Sequence, residues 1–261
     1  MPIITLISDL GNRDFYLASL KAKIFSQLSD VQVIDIHNHV DPFNIAQAAF
    51  VLQNVFNDFP KDTIHMIGVA SGSVDELPHL GIRYRNQYIL APDNGFFSLI
   101  AEQQPDTLVE LTQKLDTDQL TFPLRDLYAP AACHLARGGT LEVIGRRLET
   151  FERRTLMQPV LGQDYIRGTV VYVDSYGNAI TNITREMMQT QSRGREFMIG
   201  FREADYGIES ISKRYSDAGE GDRLALFNSA GYLEIALNQG HASNLLGLKT
   251  GEMIIIEFYD H

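Results

Sequence analysis

Val170 to Ile183, VVYVDSYGNAITNI, carries more polar chemistry than its turn requires. An apolar run ends in Asp174, turns through Gly177 and Asn178, and resumes as a second run holding Thr181 and Asn182. The pattern predicts strand, turn, strand. Gly and Asn suffice for a turn, so an aspartate at the strand end is surplus. A carboxylate beside an amide supplies acceptors and donors for a small polar ligand. A second such cluster, Leu226 to Leu248, ends a strand at Asn228–Ser229 and turns at Gly231.

The stretch SDLGNRD, Ser8 to Asp14, puts Asp9 just after the first predicted strand, where parallel sheets bind their ligands. A carboxylate beside a glycine there suits two adjacent hydroxyls, such as a ribose diol. Asp14 has two readings: a helix cap, worth about 1 kcal/mol, or a ligand group. The turn in APDNG, Ala91 to Gly95, explains its own residues. Cys133 and His134 are neighbours on a predicted helix and diverge by about 100°, which excludes a shared pocket. Cys133 reads as core and His134 as structural. His37 and His39, with Asp35 and Asp41 nearby, lack the spacing of a metal site. No dinucleotide fingerprint, phosphate loop or nucleophile elbow occurs.

The elements that position these residues fall into two halves. Strands are predicted at Ile3–Ser8, Val31–Ile36 and Ile64–Val69, with a hairpin over Leu80–Tyr84 and Gln87–Leu90. Between them come helices at Asp14–Gln27, Asn44–Phe56, Phe96–Glu102 and Ala129–Arg137. This alternation implies a central, mostly parallel sheet in an α/β domain, residues 1–150. A linker is expected over 151–167. From Gly168 the chain is mostly strand-like, at Thr169–Val173, Ala179–Ile183, Glu196–Phe201, Arg223–Asn228, Tyr232–Ala236 and Met253–Phe258. Residues 168–261 therefore read as a small β-barrel or sandwich, with one short helix at Gly240–Leu246.

The chain has 261 residues, 44% hydrophobic and 21% charged, the balance of a soluble globular protein. Its net charge of −11 argues against a general nucleic-acid partner. A single cysteine excludes an internal disulfide framework. The start, MPIITLISDLG, reads as a buried strand rather than a secretion leader. No apolar run nears the roughly 18–20 residues of a membrane span, so a cytoplasmic protein without a membrane partner is expected.

In order and spacing, SDLGNRD, DPFNIAQAA (Asp41–Ala49), APDNG, TFPLRDLYAPAACHLARGG (Thr121–Gly139), VDSYGNAITNI and NSAGYLEIALNQG resemble the family of S-adenosylmethionine hydroxide adenosyltransferases, fluorinase and chlorinase. The resemblance spans nearly the whole chain. It implies an α/β N-terminal domain, a C-terminal β-barrel, and a homotrimer whose sites lie between neighbouring subunits. The implied reaction is displacement at the ribose C5′ of S-adenosylmethionine, with no metal or second cofactor. By resemblance, Asp9 would hold the ribose hydroxyls, and Asp14 and Asp174 the methionine ammonium. Asn178 would bond the adenine edge, Tyr176 and Tyr215 would lie on the ring, and Phe43 would cover the ribose. Ser229 would meet the methionine carboxylate, while Ser73 and Phe122 would line the nucleophile pocket.

The chain departs from the family where water is activated. The hydrolases carry Asp-Pro-Gly-Val-Gly followed by Arg, and Phe-His-Gly-Arg-Asp. Here the first element reads VASGS, with Ala70 for the Asp and the Arg position near Leu77. The second reads FPLRD, with Pro123 for the His and Leu124 for the Gly. Halogenases place a tyrosine at Ala70 and a small or hydroxyl residue at Leu124, while Ser73 matches a hydroxyl-bearing position of their halide pocket. The arginine of the fluorinase motif is Ala230 here, and hydrolases lack it too. Three readings follow: a hydrolase with a non-standard water site, a non-catalytic binder of S-adenosylmethionine or adenosine, or an enzyme on a related nucleoside with another nucleophile. The catalytic residues stay unassigned.

Overall fold

A computed structural model describes residues 1–113, 115–201 and 207–260, which divide into two compact units, Met1–Leu156 and Met157–His261. The first unit is built on seven strands: β1 (Ile3–Ser8), β2 (Gln32–His37), β3 (Ile64–Gly68), β4 (His79–Tyr84), β5 (Gln87–Pro92), β6 (Thr107–Leu111) and β7 (Gly145–Arg147). Their order is β2-β1-β3-β5-β4-β6-β7. The pairings of β1 with β2, β1 with β3, and β3 with β5 are parallel. Those of β4 with β5, β4 with β6, and β6 with β7 are antiparallel. The sheet is therefore mixed, parallel on the half that carries Asp9.

Strand β1 explains the layering. Ile4 and Leu6 pack on one face against Leu20 and Ile24 of α1 (Tyr16–Gln27) and Ala131, Ala132 and Leu135 of α4 (Ala129–Ala136). Ile7 points to the other face, towards Ala48, Ala49 and Leu52 of α2 (Ile45–Val55) and Phe96 and Phe97 of α3 (Phe96–Ile100). A strand buried on both faces is mostly apolar, as IITLIS is, and its two buried hydroxyls, Thr5 and Ser8, are hydrogen-bonded to His65 and Asn38. Helix α2 starts where Asn44 accepts the Gln47 N–H at 3.0 Å. Between β4 and β5, Arg85 (φ 47°) and Asn86 (φ 62°) form a two-residue turn with left-handed backbone at both positions. A π-type turn, Leu124–Tyr128, precedes α4, and Pro130, which has no N–H to bond back, sits at the start of that helix.

One buried polar chain ties β1, β3 and β5. Thr5 Oγ1 and His65 Nδ1 are 2.7 Å apart, and His65 Nε2 lies 2.8 Å from Gln87 Oε1. Gln87 donates its Nε2 to the Phe56 carbonyl, so its oxygen takes the His65 Nε2–H, and Nδ1 accepts from Thr5. The imidazole is thereby held neutral. Burial lowers its pKa from 6.5 to about 4. The unfolded chain thus binds the extra proton between these values, and stability is lost as pH falls through that window. At pH near 4.5 the loss should be about 2–3 kcal/mol relative to neutral pH. Urea unfolding at the two pH values tests this. The His65→Gln variant should flatten the difference; an unchanged slope would contradict it.

The second unit is an antiparallel sheet ordered β11-β14-β9-β10-β13-β12, where β9 is Tyr165–Val173, β10 Ala179–Thr184, β11 Glu196–Phe201, β12 Arg223–Phe227, β13 Tyr232–Leu237 and β14 Met253–Tyr259. Strand β9 curls the sheet: its first half pairs with β14 and its second with β10. A two-residue strand, β8 (Val160–Leu161), also joins β9, so residues expected in the linker over 151–167 contribute to this sheet. The expected barrel is not closed. Among the described residues the two edges do not pair with each other. Instead β11 meets Ile208 and β12 meets Ile211, each by a single bridge. Ile166, Val170, Ile183, Ile235, Ile254 and Phe258 fill the concave core. Two helices pack on the sheet, α6 (Arg185–Ser192) and α7 (Ala242–Leu246), while α5 (Leu141–Ile144) belongs to the first unit.

Candidate nucleoside site

In the first unit, Asp9 sits directly beyond β1. Its Oδ2 accepts the backbone N–H of Phe43 at 3.1 Å and of Ala70 at 3.2 Å. Both donors belong to non-glycine residues with left-handed backbone, Phe43 at φ 65° and Ala70 at φ 48°. That conformation costs of order 1–3 kcal/mol per residue and persists only where neighbours hold it. Asp9 supplies one hold on each. Asn94 of APDNG supplies another, donating its Nδ2 to the carbonyls of Val69 at 3.0 Å and Ala70 at 3.1 Å. Asn94 is thus a brace as well as a turn residue. The other Asp9 oxygen has no partner among the described residues, and the Phe43 ring is 77% exposed. An unpaired carboxylate oxygen beside an exposed ring suits a ligand with hydroxyls and an apolar face.

Asp14 does not cap a helix. Helix α1 begins at Tyr16, its N-cap is Phe15, and no side chain caps it. The Asp14 carboxylate is exposed and without a partner among the described residues. Next to it, Phe15 stacks on Tyr16 with ring centroids 4.3 Å apart, and Tyr16 meets Phe122 edge-on at 5.4 Å. Phe122 is buried, with the Arg125 guanidinium 5.3 Å from its ring centroid. Arg125 is committed to Asp126 through two hydrogen bonds of 2.8 Å.

Ser73 is half-buried, held through its backbone rather than its hydroxyl. Its N–H donates to Glu76 Oε2 at 2.7 Å, and its carbonyl accepts from His79 Nε2 at 3.3 Å. The buried Tyr128 hydroxyl lies 2.6 Å from His79 Nδ1, which sets the tautomer that donates to Ser73. Burial lowers the His79 pKa, partly offset by the Ser73 bond and the Glu110 charge. Leu124 lies directly over Gly68, at the end of β3. A Cβ at Gly68 would fall inside the Leu124 side chain. Cys133 and His134 are structural. The thiol is buried in the core, and the imidazole bonds the Thr140 carbonyl at 3.1 Å.

In the second unit, the turn after β9 is knotted by Asp174. Its Oδ1 accepts the N–H of Tyr176 at 2.9 Å and of Asn178 at 2.8 Å, and its Oδ2 accepts Asn178 Nδ2 at 3.0 Å. The surplus aspartate is therefore a turn-builder first. His241 packs on Gly177 (φ 81°), where a Cβ would enter its ring. Around this turn lies a hollow of about 760 Å³, lined by Asp174, Tyr176, Asn178, Tyr215 and His241 among others. A second hollow, about 840 Å³, shares Asp174 and Tyr215 with it and adds Ser229, Lys213 and Arg214. All five residues anticipated in this half thus line two hollows with a common wall.

Glu234 belongs to this group and was not anticipated. It is only 2% exposed, accepts from Tyr215 Oη at 2.6 Å and from Asn228 Nδ2 at 3.4 Å, and lines the second hollow. Burial pushes its carboxyl up, against the lowering effect of these two bonds. Burial and the Glu234 bond likewise raise the Tyr215 hydroxyl. A charged residue inside the apolar strand YLEIAL was the available signal.

Among the described residues, no three His, Cys, Asp or Glu side chains are grouped to hold a metal, and no helix is long and apolar enough to cross a membrane. A mixed α/β unit, a curled antiparallel unit, and carboxylates, amides and exposed rings define a protein suited to a small polar aromatic ligand. Residues 4–145 match the SAM hydroxide adenosyltransferase N-terminal domain and residues 168–255 the corresponding C-terminal domain. The chain belongs to the SAM hydroxide adenosyltransferase family.

The (R)-S-adenosyl-L-methionine hydrolase of Methanocaldococcus jannaschii is 28% identical, over 95% of this chain and 93% of that protein. The fluorinase of Actinopolyspora mzabensis is also 28% identical, over 96% of this chain and 95% of that protein. A crystal structure of an uncharacterized conserved protein from Thermotoga maritima is similar with a TM-score of 0.88 and 31% identity, covering 98% of this chain and 99% of that one.

Proposed function

We propose that this protein binds S-adenosyl-L-methionine and hydrolyses it at the ribose C5′ to adenosine and L-methionine. The water oxygen forms a bond to C5′ as the C5′–sulfur bond breaks. The pair of electrons leaves with sulfur, methionine departs as a neutral thioether, and the water proton passes to solvent. A sulfonium is already a good leaving group, so positioning and desolvating the nucleophile are the main demands on the protein.

The observation that carries this reading is Asp9, a carboxylate at the end of β1 that fixes two strained residues with one oxygen and whose other oxygen has no partner among the described residues. The free oxygen takes the ribose hydroxyls, and Phe43 covers the sugar. In the second unit Asn178 bonds the adenine edge, and Tyr176 and Tyr215 lie against the ring. Asp174 and Asp14 face the methionine ammonium and Ser229 its carboxylate. Ser73 and Phe122 line the path of the water. We further propose a cytoplasmic homotrimer, each site drawing on the first unit of one protomer and the second of its neighbour. The exposed rings of Phe15, Phe43 and Tyr176 support this assembly.

A second reading, a non-catalytic binder, is favoured by Leu124. It fills the space over Gly68 in the segment where the hydrolases are expected to activate water. One experiment separates the two. Purified protein is incubated with S-adenosyl-L-methionine, adenosine is followed by chromatography, and binding is measured by calorimetry. Adenosine and methionine in equal amounts are expected. Binding without adenosine would leave the binder, and neither would overturn both readings.

A further inference from the structure

We propose that Asp174 fixes the direction of the Asn178 amide, so that the hollow selects an amino-purine over the matching oxo-purine. The inference rests on the nucleoside reading above and adds a specificity determinant to it. As a carboxylate, Asp174 only accepts hydrogen bonds. Its Oδ2 takes Asn178 Nδ2 at 3.0 Å, while its Oδ1 is committed to the backbone of Tyr176 and Asn178. Turning the amide over would set oxygen against oxygen, so Asn178 Nδ2 is locked towards Asp174.

Asn178 Oδ1 is therefore the free end. It has no partner among the described residues, although Asn178 is only 5% exposed. It is not sealed from solvent either: the one buried side-chain N or O atom found without a partner among the described residues is a guanidinium nitrogen of Arg83. Asn178 lines the hollow shared with Tyr176, Tyr215 and His241. A ligand that covers this acceptor must supply a donor in place of water. The exocyclic amine of adenosine provides one. The carbonyl of inosine puts a second acceptor in its place, and sites built around a hydrogen bond reject such partners strongly.

The test compares adenosine with inosine by calorimetry. Neither carries an ammonium, so the comparison is independent of the methionine role given to Asp174. The unaltered protein should bind adenosine at least about 10-fold more tightly than inosine, the discrimination of one satisfied against one opposed hydrogen bond. In Asp174→Asn, the new amide oxygen can still accept the two backbone N–H groups that build the turn. Its new –NH2 would draw Asn178 Oδ1 to itself and turn Asn178 Nδ2 to the hollow. The preference should then move towards inosine. Asn178→Ala should bring the adenosine-to-inosine ratio close to one without creating a new donor, and it carries the test if Asp174→Asn does not fold. Equal binding of the two nucleosides by the unaltered protein, or a ratio unmoved in the variants that fold, overturns the inference and leaves the nucleoside reading standing. Absence of binding by both nucleosides to the unaltered protein overturns the nucleoside reading itself.

Discussion

Asp9→Ala should weaken adenosine binding by about 2–3 kcal/mol, the loss expected when charge-assisted hydrogen bonds to a diol disappear. Two effects contribute, and a second variant separates them. Alanine removes the oxygen available to the ligand, and it also releases the N–H groups of Phe43 and Ala70. Both residues then lose one restraint on a left-handed backbone. Asp9→Asn keeps an oxygen for the two N–H groups and replaces the free oxygen with –NH2. It should fold with the parent's stability and lose affinity to an intermediate degree. Calorimetry with adenosine, with thermal unfolding as the control, measures both. Affinity unchanged in Asp9→Ala would contradict the ribose assignment.

Leu124→Ala should cost about 2–4 kcal/mol of stability, because the residue is 2% exposed and its side chain fills the space over Gly68. Gly68→Ala should cost about 1–3 kcal/mol for the opposite reason, since its methyl group has no room. The two changes compensate, as the cavity left by one accepts the methyl of the other. The double variant should therefore be more stable than the sum of the single effects allows. Urea midpoints at constant m-value measure the cycle. Strict additivity would show that Leu124 and Gly68 are not packed as described. Leu124 lies in FPLRD and Gly68 directly precedes VASGS, the two segments that depart from the hydrolase pattern.

What was legible in the sequence was local. Strands Ile3–Ser8 and Glu196–Phe201 occupy the residues that their apolar runs predict. The hairpin around Arg85–Asn86 was readable from two apolar runs separated by two residues. Helix α6 was not, because REMMQTQS buries only Met188 and offers no apolar stripe. Strands β6 and β7 escaped too: they lie at the far edge of the sheet, and β7 has only three residues, GRR.

The remaining gaps are long-range. Whether a curled sheet closes depends on how its edge strands meet, which no local pattern encodes. Asn94 reads as a turn residue until its side chain is seen to reach Val69 and Ala70. Glu234 gains its role from Tyr215, 19 residues away in sequence. Asp174 stands out in the sequence as surplus polarity, but three of its acceptor positions go to its own turn.

The most direct test of the central claim is turnover in heavy-oxygen water. Displacement at C5′ by water predicts adenosine carrying one heavy oxygen at its 5′ hydroxyl, released with an equal amount of unlabelled methionine. Adenosine without the label, or bound S-adenosyl-L-methionine that yields no adenosine, would contradict it.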